Sequence, residues 1–249
     1  MDKALFIAMT GAKHNMLAQT ARSNNLANVN TTGFRADLEQ ARAMPVFGQH
    51  HPSRVYALTE RPATSTEQGS YDYTGNPLDV AIKGEGWLAV QAPDGTEAYT
   101  RRGDLNIDPN GVLRTGNGLP VIGNGGPVVL PPGQHVHIAS DGTLAISEEA
   151  GGGANLEVVD QLKLVSPAEL GLIMEKGLDG LMRPRDFDGP LPESELVQLE
   201  SGVLETSNVN AVHELTTLLS LSRQYEMNVK MMKKVEENAS QASSILRMG

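Results

Sequence analysis

The sequence predicts an α+β protein, with a long helix near each end of the chain and a mostly antiparallel β domain between them. Three observations support this class. Apolar residues recur in alternating steps of four and three at both ends. Short apolar runs separated by Asn-Gly and Asp-Gly dipeptides fill the middle. Neither proline nor glycine interrupts the chain between Val203 and Met248.

The composition excludes several classes of function. A chain of 249 residues is long enough for one large domain or two small ones. It contains no cysteine, which excludes disulfides, cysteine-ligated metals and thiol nucleophiles. A net charge of −10 argues against nucleic acid as a partner, because phosphate recognition needs a basic surface. No apolar run approaches the ~18 residues that span a bilayer, and no cleavable signal peptide is visible, so we expect no membrane insertion.

The first helix is predicted within residues 1–30. Its repeating positions have the a/d spacing of a helix seam, although two of the seven are polar. The seam positions are Leu5, Met9, Ala12, Met16, Gln19, Ser23 and Leu26.

The middle of the chain divides into a connector and a β domain. Residues 31–69, with 193–207, are predicted as an extended connector, because 29–68 has no clear period and is either an irregular ordered segment or a linker. The central β domain is predicted over residues 70–192. Its hairpin turns need the positive φ angles that Asn-Gly and Asp-Gly supply. These dipeptides are Asp94-Gly95, Asn110-Gly111, Asn117-Gly118, Asn124-Gly125, Asp141-Gly142 and Asp179-Gly180.

The second helix is predicted within residues 208–249, from about Asn210 to Arg247. Such a helix is roughly 55 Å long, and Asn208 or Asn210 is expected to cap its start. Because polar residues interrupt both seams, we expect the isolated helices to be marginal and to order on assembly. The second seam runs through Ala211, Leu215, Leu218, Ser222, Tyr225, Val229, Met232, Glu236, Ala239, Ser243 and Leu246.

No motif in the sequence is typical of catalysis. A nucleophile elbow, a P-loop and a His-Glu-x-x-His helix are all missing from it. His135 and His137 alone are too few for a zinc site. We therefore expect no enzyme, no cofactor and no metal. Arg102-Gly103-Asp104 is a tripeptide that some adhesion receptors read, which leaves a secreted adhesin or sugar-binding module as an alternative, although an ordinary turn at Gly103 is favoured.

Two stretches, one near each end, resemble the family of bacterial flagellar rod and hook proteins. The C-terminal stretch comprises Leu204–Asn210, Arg223–Glu226 and Lys230–Met232. The segments Arg42–Val46 and Pro77–Gln91 resemble a proximal rod subunit more than its distal relative. The N-terminal pattern Ala-Asn…Thr…Gly-Phe-Lys/Arg is matched by Ala27, Asn28, Thr31, Gly33, Phe34 and Arg35.

The resemblance implies a structural subunit of the proximal flagellar rod, which transmits torque, with a distal-rod or short hook-type subunit as the alternative. It implies that the terminal helices pair as a coiled-coil-like assembly domain forming the inner tube, with the β domain facing outward. The implied partners are proximal and distal rod proteins, other copies of this chain and the flagellar type III export apparatus. Export without a cleaved signal would place the chain in the periplasmic rod of the basal body, an oxidising compartment compatible with the absence of cysteine.

The resemblance also implies which residues take part in assembly. At the exit of the first helix, Asn28 is expected to satisfy backbone groups, Gly33 to permit a turn and Phe34 to anchor in a neighbouring subunit. The alternative is that this segment only stops the helix within its own chain. The full expected set is Leu5, Met9, Met16, Asn24, Leu26, Asn28, Thr31, Gly33, Phe34, Arg35, Asn208, Asn210, Leu215, Leu218, Tyr225, Glu226, Val229 and Met232.

Overall fold

The computed structural model of the chain describes residues 4–45, 55–131, 135–147, 156–187 and 189–247. Its architecture is α+β, as predicted, with one long helix near each end and antiparallel strands between them. Contacts divide the chain into two compact units. The helical unit comprises residues 1–29, 36–65 and 209–249, and the β unit comprises residues 30–35 and 66–208.

The helical unit contains two helices and one long hairpin. The helices are α1 (Ala4–Ala27) and α2 (Ala211–Arg247). The hairpin pairs β1 (Asp37–Pro45) with β2 (Val55–Thr64) in antiparallel register. The expectation that residues 29–68 have no regular structure is therefore wrong. Its strands escaped notice because an exposed two-stranded ribbon does not need the alternation of apolar and polar residues that a half-buried sheet requires.

Helices α1 and α2 run antiparallel and pack through small side chains. Ala8 and Ala12 of α1 are buried. A Cβ atom added to Gly11 would lie 3.2 Å from the side chain of Asn228 on α2. Near the other end of α1, Arg22 contacts Glu214. Small residues on one helix let the two backbones approach closely, so the inward face of α1 fits against larger side chains of α2.

The predicted helix seams are right only in part: Leu218, Val229 and Met232 of the predicted α2 seam are half-buried, whereas the large residues of the predicted α1 seam are not buried. Leu5, Met9 and Met16 were expected in the α1 seam, but all three side chains are exposed. The inward positions of α1 are instead Ala4, Ala8, Gly11, Asn15, Ala18, Arg22 and Asn25. Those of α2 include Glu214, Leu218, Leu221, Asn228, Met232 and Val235, whereas Leu215, Ser222 and Glu236 are exposed. The difference in α1 arises because this helix carries two stripes, and the stripe of small residues, not the stripe of large ones, faces α2.

The β unit is antiparallel in each strand pairing that the structure describes. Its largest sheet has the strand order β14-β5-β6-β16-β15, and a second has the order β11-β12-β13. The remaining pairs are β7–β8, β9–β10, β3–β18 and β4–β17. A short 3₁₀-helix spans Pro167–Leu170. The strands are β3 (Tyr71–Tyr73), β4 (Val80–Lys83), β5 (Trp87–Gln91), β6 (Glu97–Thr100), β7 (Leu105–Ile107), β8 (Leu113–Thr115), β9 (Ile122–Gly123), β10 (Gly126–Pro127), β11 (His135–Ile138), β12 (Thr143–Ser147), β13 (Glu157–Gln161), β14 (Leu164–Val165), β15 (Met174–Lys176), β16 (Met182–Pro184), β17 (Gln198–Ser201) and β18 (Val203–Glu205).

The turns of the β unit follow the dipeptide prediction with one exception. The second residue has a positive φ angle at Gly95, Gly111, Gly118, Gly142 and Gly180. At Asn124-Gly125 the positive φ belongs instead to the next residue, Gly126. These dipeptides therefore identify the hairpins of this unit, because few other residues adopt the left-handed region at low cost.

The apolar core of the chain lies in the β unit. Leu88, Leu113 and Leu144 belong to its main cluster, and a second cluster forms around Trp87 and Tyr99. Among the described residues of the helical unit, the buried apolar side chains are those of Ala8, Ala12 and Val209. The helical unit thus buries little apolar surface within its own chain.

Candidate assembly surfaces

The outward face of α1 is a surface of large apolar side chains. It comprises Leu5, Phe6, Met9, Met16 and Leu17, which are between 39% and 62% exposed. These residues lie on the side of the helix opposite Ala4, Gly11 and Ala18. Fully burying such a side chain is worth roughly 1.5–3 kcal/mol, and because these are already about half-buried, a covering surface would add roughly half of that per residue.

The expected residues of α2 divide between its two sides. Leu218, Val229 and Met232 are half-buried on the side that faces α1. Leu215, Tyr225 and Glu226 are exposed. Three members of the predicted set therefore pack within the chain, and three are accessible to another molecule.

The start of α2 is capped by one of the two candidate asparagines. The Oδ1 atom of Asn210 accepts a hydrogen bond from the backbone N–H of His213 at 3.1 Å, which is the geometry of an N-cap. Asn208 does not cap the helix. Its Nδ2 donates to the carbonyl of Glu67 at 2.9 Å, and its backbone N–H donates to the carbonyl of Phe34 at 3.3 Å.

The exit of α1 uses Asn28 as expected. Its Nδ2 donates to the carbonyl of Asn24 at 2.9 Å, so the side chain satisfies a carbonyl of the last helical turn. Asn24 itself is exposed, whereas Leu26 and Thr31 are half-buried. The segment therefore terminates the helix within its own chain.

A polar cluster that the sequence did not reveal lies at the same end of α1. The buried side chain of Asn25 accepts from the backbone N–H of Asp37 at 2.9 Å and donates to its carbonyl at 3.0 Å. Arg22 pairs with the buried carboxylate of Glu214 at 3.0 Å. The side-chain amide of Asn25 thus makes the two hydrogen bonds to Asp37 that the backbone of a neighbouring strand would make. The ion pair of Arg22 and Glu214 links α1 to α2.

Residues 30–35 form what we call the strap, a short segment of the β unit. Gly33 in the strap has φ +65°, and its N–H donates to the carbonyl of Glu205 at 2.8 Å. A Cβ atom on Gly33 would lie 2.4 Å from the backbone carbon and oxygen of Arg101. Only glycine fits here, because both the backbone conformation and the close approach exclude a side chain.

A buried charge cluster holds the strap in place. The carboxylate of Glu205 lies 2.6 Å from Nη2 of Arg35 and 3.1 Å from Nη1 of Arg101. It also accepts from the backbone N–H of Gly69 at 2.9 Å. All three charged side chains are at least 97% buried. The nitrogens of Arg35 do not align for hydrogen bonding, so the pair of Arg35 and Glu205 is a charge contact.

Arg101 connects this cluster to the core of the β unit. Its Nη2 donates to the carbonyl of Gly84 at 2.5 Å, and its guanidinium lies 5.4 Å from the ring centroid of Trp87. Burial lowers the pKa of Arg101, and the charge of Glu205 opposes that shift. Burial, with the charge of Glu205, raises the pKa of the nearby Tyr71 hydroxyl. Because its ion pairs are buried, the cluster acts as a structural anchor.

Phe34 has a partner in its own chain. The Nζ atom of Lys176 lies 3.7 Å from the Phe34 ring centroid and donates to the carbonyl of Arg35 at 2.9 Å. A cation over an aromatic face contributes roughly 0.5–1 kcal/mol at exposed sites, and more when desolvated. This geometry favours the intramolecular interpretation of the strap, and the anchoring of Phe34 in a neighbour stays a prediction.

The Arg102-Gly103-Asp104 tripeptide is engaged within its own chain. Arg102 makes a bidentate pair with Asp104, with both N–O distances at 2.7 Å. Gly103 is required because a Cβ atom there would lie 1.7 Å from the carbonyl oxygen of Val80. The tripeptide is therefore a structural turn, as favoured, and does not present an adhesion motif.

Six residues of these clusters were missed in the sequence, namely Arg22, Asn25, Arg101, Lys176, Glu205 and Glu214. Glu205 lies inside the C-terminal stretch that resembles the flagellar family, and that position was the one available signal. The partners of Glu205 lie 104 and 170 positions earlier in the chain, and no local pattern brings them together. Across the residues that the structure describes, no three His, Asp or Glu side chains form a potential metal site, and neither helix is long and apolar enough to span a bilayer.

Comparison with known proteins gives a consistent result along the chain. Family models match residues 5–35 ("Flagella basal body rod protein"), 81–146 ("Flagellar hook protein FlgE/F/G D1 domain") and 200–245 ("Flagellar basal body rod FlgEFG protein C-terminal"). The flagellar basal-body rod protein FlgF of Escherichia coli is 39% identical over 253 residues and aligns along 100% of both chains.

The chain belongs to the family of flagellar basal-body rod proteins. FlgF of Caulobacter vibrioides is 32% identical over 100% of this chain and 99% of its own. FlgG of Buchnera aphidicola is 30% identical over 92% of this chain and 94% of its own. The family is structural and not enzymatic, in agreement with the lack of a catalytic motif. The first matched region of this rod protein contains the strap and all of α1 except Ala4, and the last contains α2 up to residue 245.

Proposed function

We propose that this rod protein is a structural subunit of the proximal rod in the bacterial flagellar basal body. It assembles by helical packing with related proximal and distal rod subunits and with copies of itself, and it transmits torque. Residues 1–30 and 208–249 form the assembly domain, and the β domain of residues 70–192 is carried on a connector. The similarity to FlgF over the whole chain, higher than that to FlgG, supports the proximal over the distal position.

The observation that carries the proposal is the distribution of apolar residues in the helical unit. Small residues such as Ala4, Gly11 and Ala18 lie on the inward face of α1, whereas large side chains such as Met9 and Met16 point away. A helix gains most of its stability from packing its apolar face. The helical unit buries few apolar side chains within its own chain and leaves its large ones exposed. This distribution is expected of a subunit whose neighbours cover those side chains in the assembled structure.

Assembly of a rod requires heterologous contacts, which propagate along a helix instead of closing. The charged cluster at Glu205 fixes the β unit without a contribution from α1 or α2. We therefore propose that the β unit is ordered in the exported monomer while the terminal helices order fully on assembly. This order of events suits passage through the type III export apparatus to the periplasm without a cleaved signal. Far-UV circular dichroism of the dilute full chain tests it, and complete helicity of the monomer would contradict it.

The test of the assembly role is Met16→Glu in a strain that lacks its own copy of the gene. Met16 is 62% exposed, so the free energy of unfolding of the purified variant is expected to lie within about 0.5 kcal/mol of that of the wild type. A carboxylate buried at an apolar contact is costly, so the variant is expected to be absent from purified basal bodies and to abolish swimming.

Met16→Leu is the matched control, because it keeps size and apolarity, and it should restore both swimming and incorporation. Incorporation is measured by immunoblotting of purified basal bodies. Normal swimming and normal incorporation of Met16→Glu would refute the assembly role of this face.

A further inference from the structure

Helix α2 extends beyond the end of α1. The side chain of Asn228 lies beside Gly11. Helix α1 begins at Ala4, seven residues before Gly11. Because the helices are antiparallel, the same count past Asn228 reaches 228 + 7 = 235. Among the side chains of α2 that the structure describes, Val235 is the last half-buried one, and every residue from 236 to 245 is exposed. We call residues 236–247 the overhang.

The overhang lacks the packing that stabilises a helix. Three turns whose described side chains are all exposed are marginal in water, since a short isolated helix does not offset the cost of its nucleation. The same helix is ordered by α1 along its first 25 residues, 211–235. An ordered overhang therefore needs an external surface.

The overhang continues the side of α2 that packs on α1. That side carries Leu218, Leu221, Asn228, Met232 and Val235, and steps of three and four through Tyr225 join these positions. Continuing the steps leads to Ala239 and then to Ala242 and Ser243. The interface side thus changes from large to small residues where α1 ends.

The outward face of α1 has the complementary character. Its large side chains, such as Phe6 and Met9, protrude from the helix, whereas Ala239 and Ala242 leave room for protruding side chains. Within the chain, α1 and α2 already pair small residues with large ones. Exposed Lys13 lies among the outward residues, and Glu236 begins the overhang, so the charges also match.

From these observations we propose that the overhang of one rod-family subunit docks on the outward face of α1 in the next. The proposal rests on the assembly role above and names its contact. Within one chain the contact is impossible, because the overhang lies past the end of α1. The partner segment is a C-terminal helix with a small-residue side, and a family model shared with FlgE, FlgF and FlgG covers residues 200–245, including most of the overhang.

Photo-crosslinking in basal bodies tests this contact. Met9 is replaced by p-benzoylphenylalanine, which reacts with any neighbouring C–H bond, and the adduct is identified by mass spectrometry. The expected adduct joins residue 9 to the C-terminal helix of another rod-family subunit. An adduct with any other segment, or no adduct from an incorporated variant, would overturn the proposal. Absence of the wild-type chain from purified rods would instead count against the proposed function.

A matched pair of substitutions in the overhang provides a second readout. Ala239→Trp adds bulk on the side that we expect to dock, and Gln241→Trp adds it about 160° around the helix. Overpacking a close contact should lower incorporation of Ala239→Trp at least about tenfold, while Gln241→Trp stays within about twofold of the wild type. Equal incorporation of the two variants would contradict the proposed side.

Discussion

Replacing Glu205 by Gln should destabilise the β unit more than any other single change of charge that the described residues suggest. The substitution keeps the shape of the side chain and removes its charge. The carboxylate lies between the guanidinium groups of Arg35 and Arg101, and it accepts from the backbone of Gly69. In the variant an amide NH₂ group would face one of the two guanidinium donors, so two buried cations would remain without a counterion.

The expected magnitude follows from burial. Breaking a buried ion pair by removing one partner costs roughly 3–5 kcal/mol, because an uncompensated charge stays in a low-dielectric site. The β unit spans 6 + 143 = 149 residues. For a domain of this size 1 kcal/mol lowers the melting midpoint by about 2–4 °C, which gives a decrease of about 6–20 °C.

The assay is urea unfolding of the full chain, followed by the fluorescence of its single tryptophan. Trp87 is buried in the β unit beneath Arg101, so its emission reports this unit and not the helices. Glu200→Gln is the matched control. Glu200 pairs with Lys83 at 3.0 Å, but the two side chains are 33% and 53% exposed, so the cost should be about 0–1 kcal/mol.

The reasoning would be refuted if Glu205→Gln cost less than about 1 kcal/mol, the value for an exposed pair. It would also fail if both Gln variants cost the same. A change confined to the helical signal at 222 nm, with Trp87 emission unaffected, would place the effect outside the β unit and contradict the role of the strap.

Three further predictions follow from the structure. Gly33→Ala should lower the free energy of unfolding by about 2–5 kcal/mol in the same fluorescence assay, because a left-handed φ and a clash with the backbone of Arg101 add together. Gly75→Ala, where φ is +72° and no atom lies within 4 Å of the added Cβ, should lower it by only about 1–2 kcal/mol. Equal values for the two variants would contradict the close approach at Gly33. Asn25→Ala should lower the free energy of unfolding, followed by circular dichroism at 222 nm, by about 2–4 kcal/mol, because both hydrogen bonds to the backbone of Asp37 are lost. Asn24 is exposed, so Asn24→Ala should change this free energy by less than about 0.5 kcal/mol. Similar values for the two variants would argue against the role of Asn25. Hydrogen bonds from Arg114 and from backbone N–H groups lower the pKa of Asp108 below 3.8. The stabilising contribution of this carboxylate is therefore complete above that pH and is lost as the pH falls through the folded-state pKa. Asp108→Asn should make the free energy of unfolding depend less on pH in the acid range, and an unchanged dependence would contradict this assignment.

The elements that were predictable from the sequence are those with local causes. Helix α2 lacks interruption by glycine or proline and begins at the cap that Asn210 provides, so its ends follow from neighbouring residues. Gly95 and Gly142 mark hairpins because their backbone conformation is local. The family followed from two short motifs. None of these features requires knowledge of residues distant in the chain.

The elements that escaped prediction depend on distant residues or on a missing partner. Arg35 and Glu205 meet across 170 positions, and no periodicity signals such a pair. The large residues of the predicted α1 seam were placed inward because large apolar residues are usually assumed to face the protein interior. Met9 and Met16 break this rule, which is consistent with a subunit whose interior is completed by other chains.

The presence of methionine on the outward face of α1 makes the timing of assembly matter for oxidation. A thioether is readily converted to a sulfoxide, which is polar and no longer favours an apolar contact. In the free chain the sulfur-bearing side chains of Met9 and Met16 are exposed to oxidants, and they would be shielded once another surface covers them. Because the chain has no cysteine, its sensitivity to oxidation is concentrated in methionine. A subunit that waits too long between export and incorporation would therefore lose the capacity to join the structure.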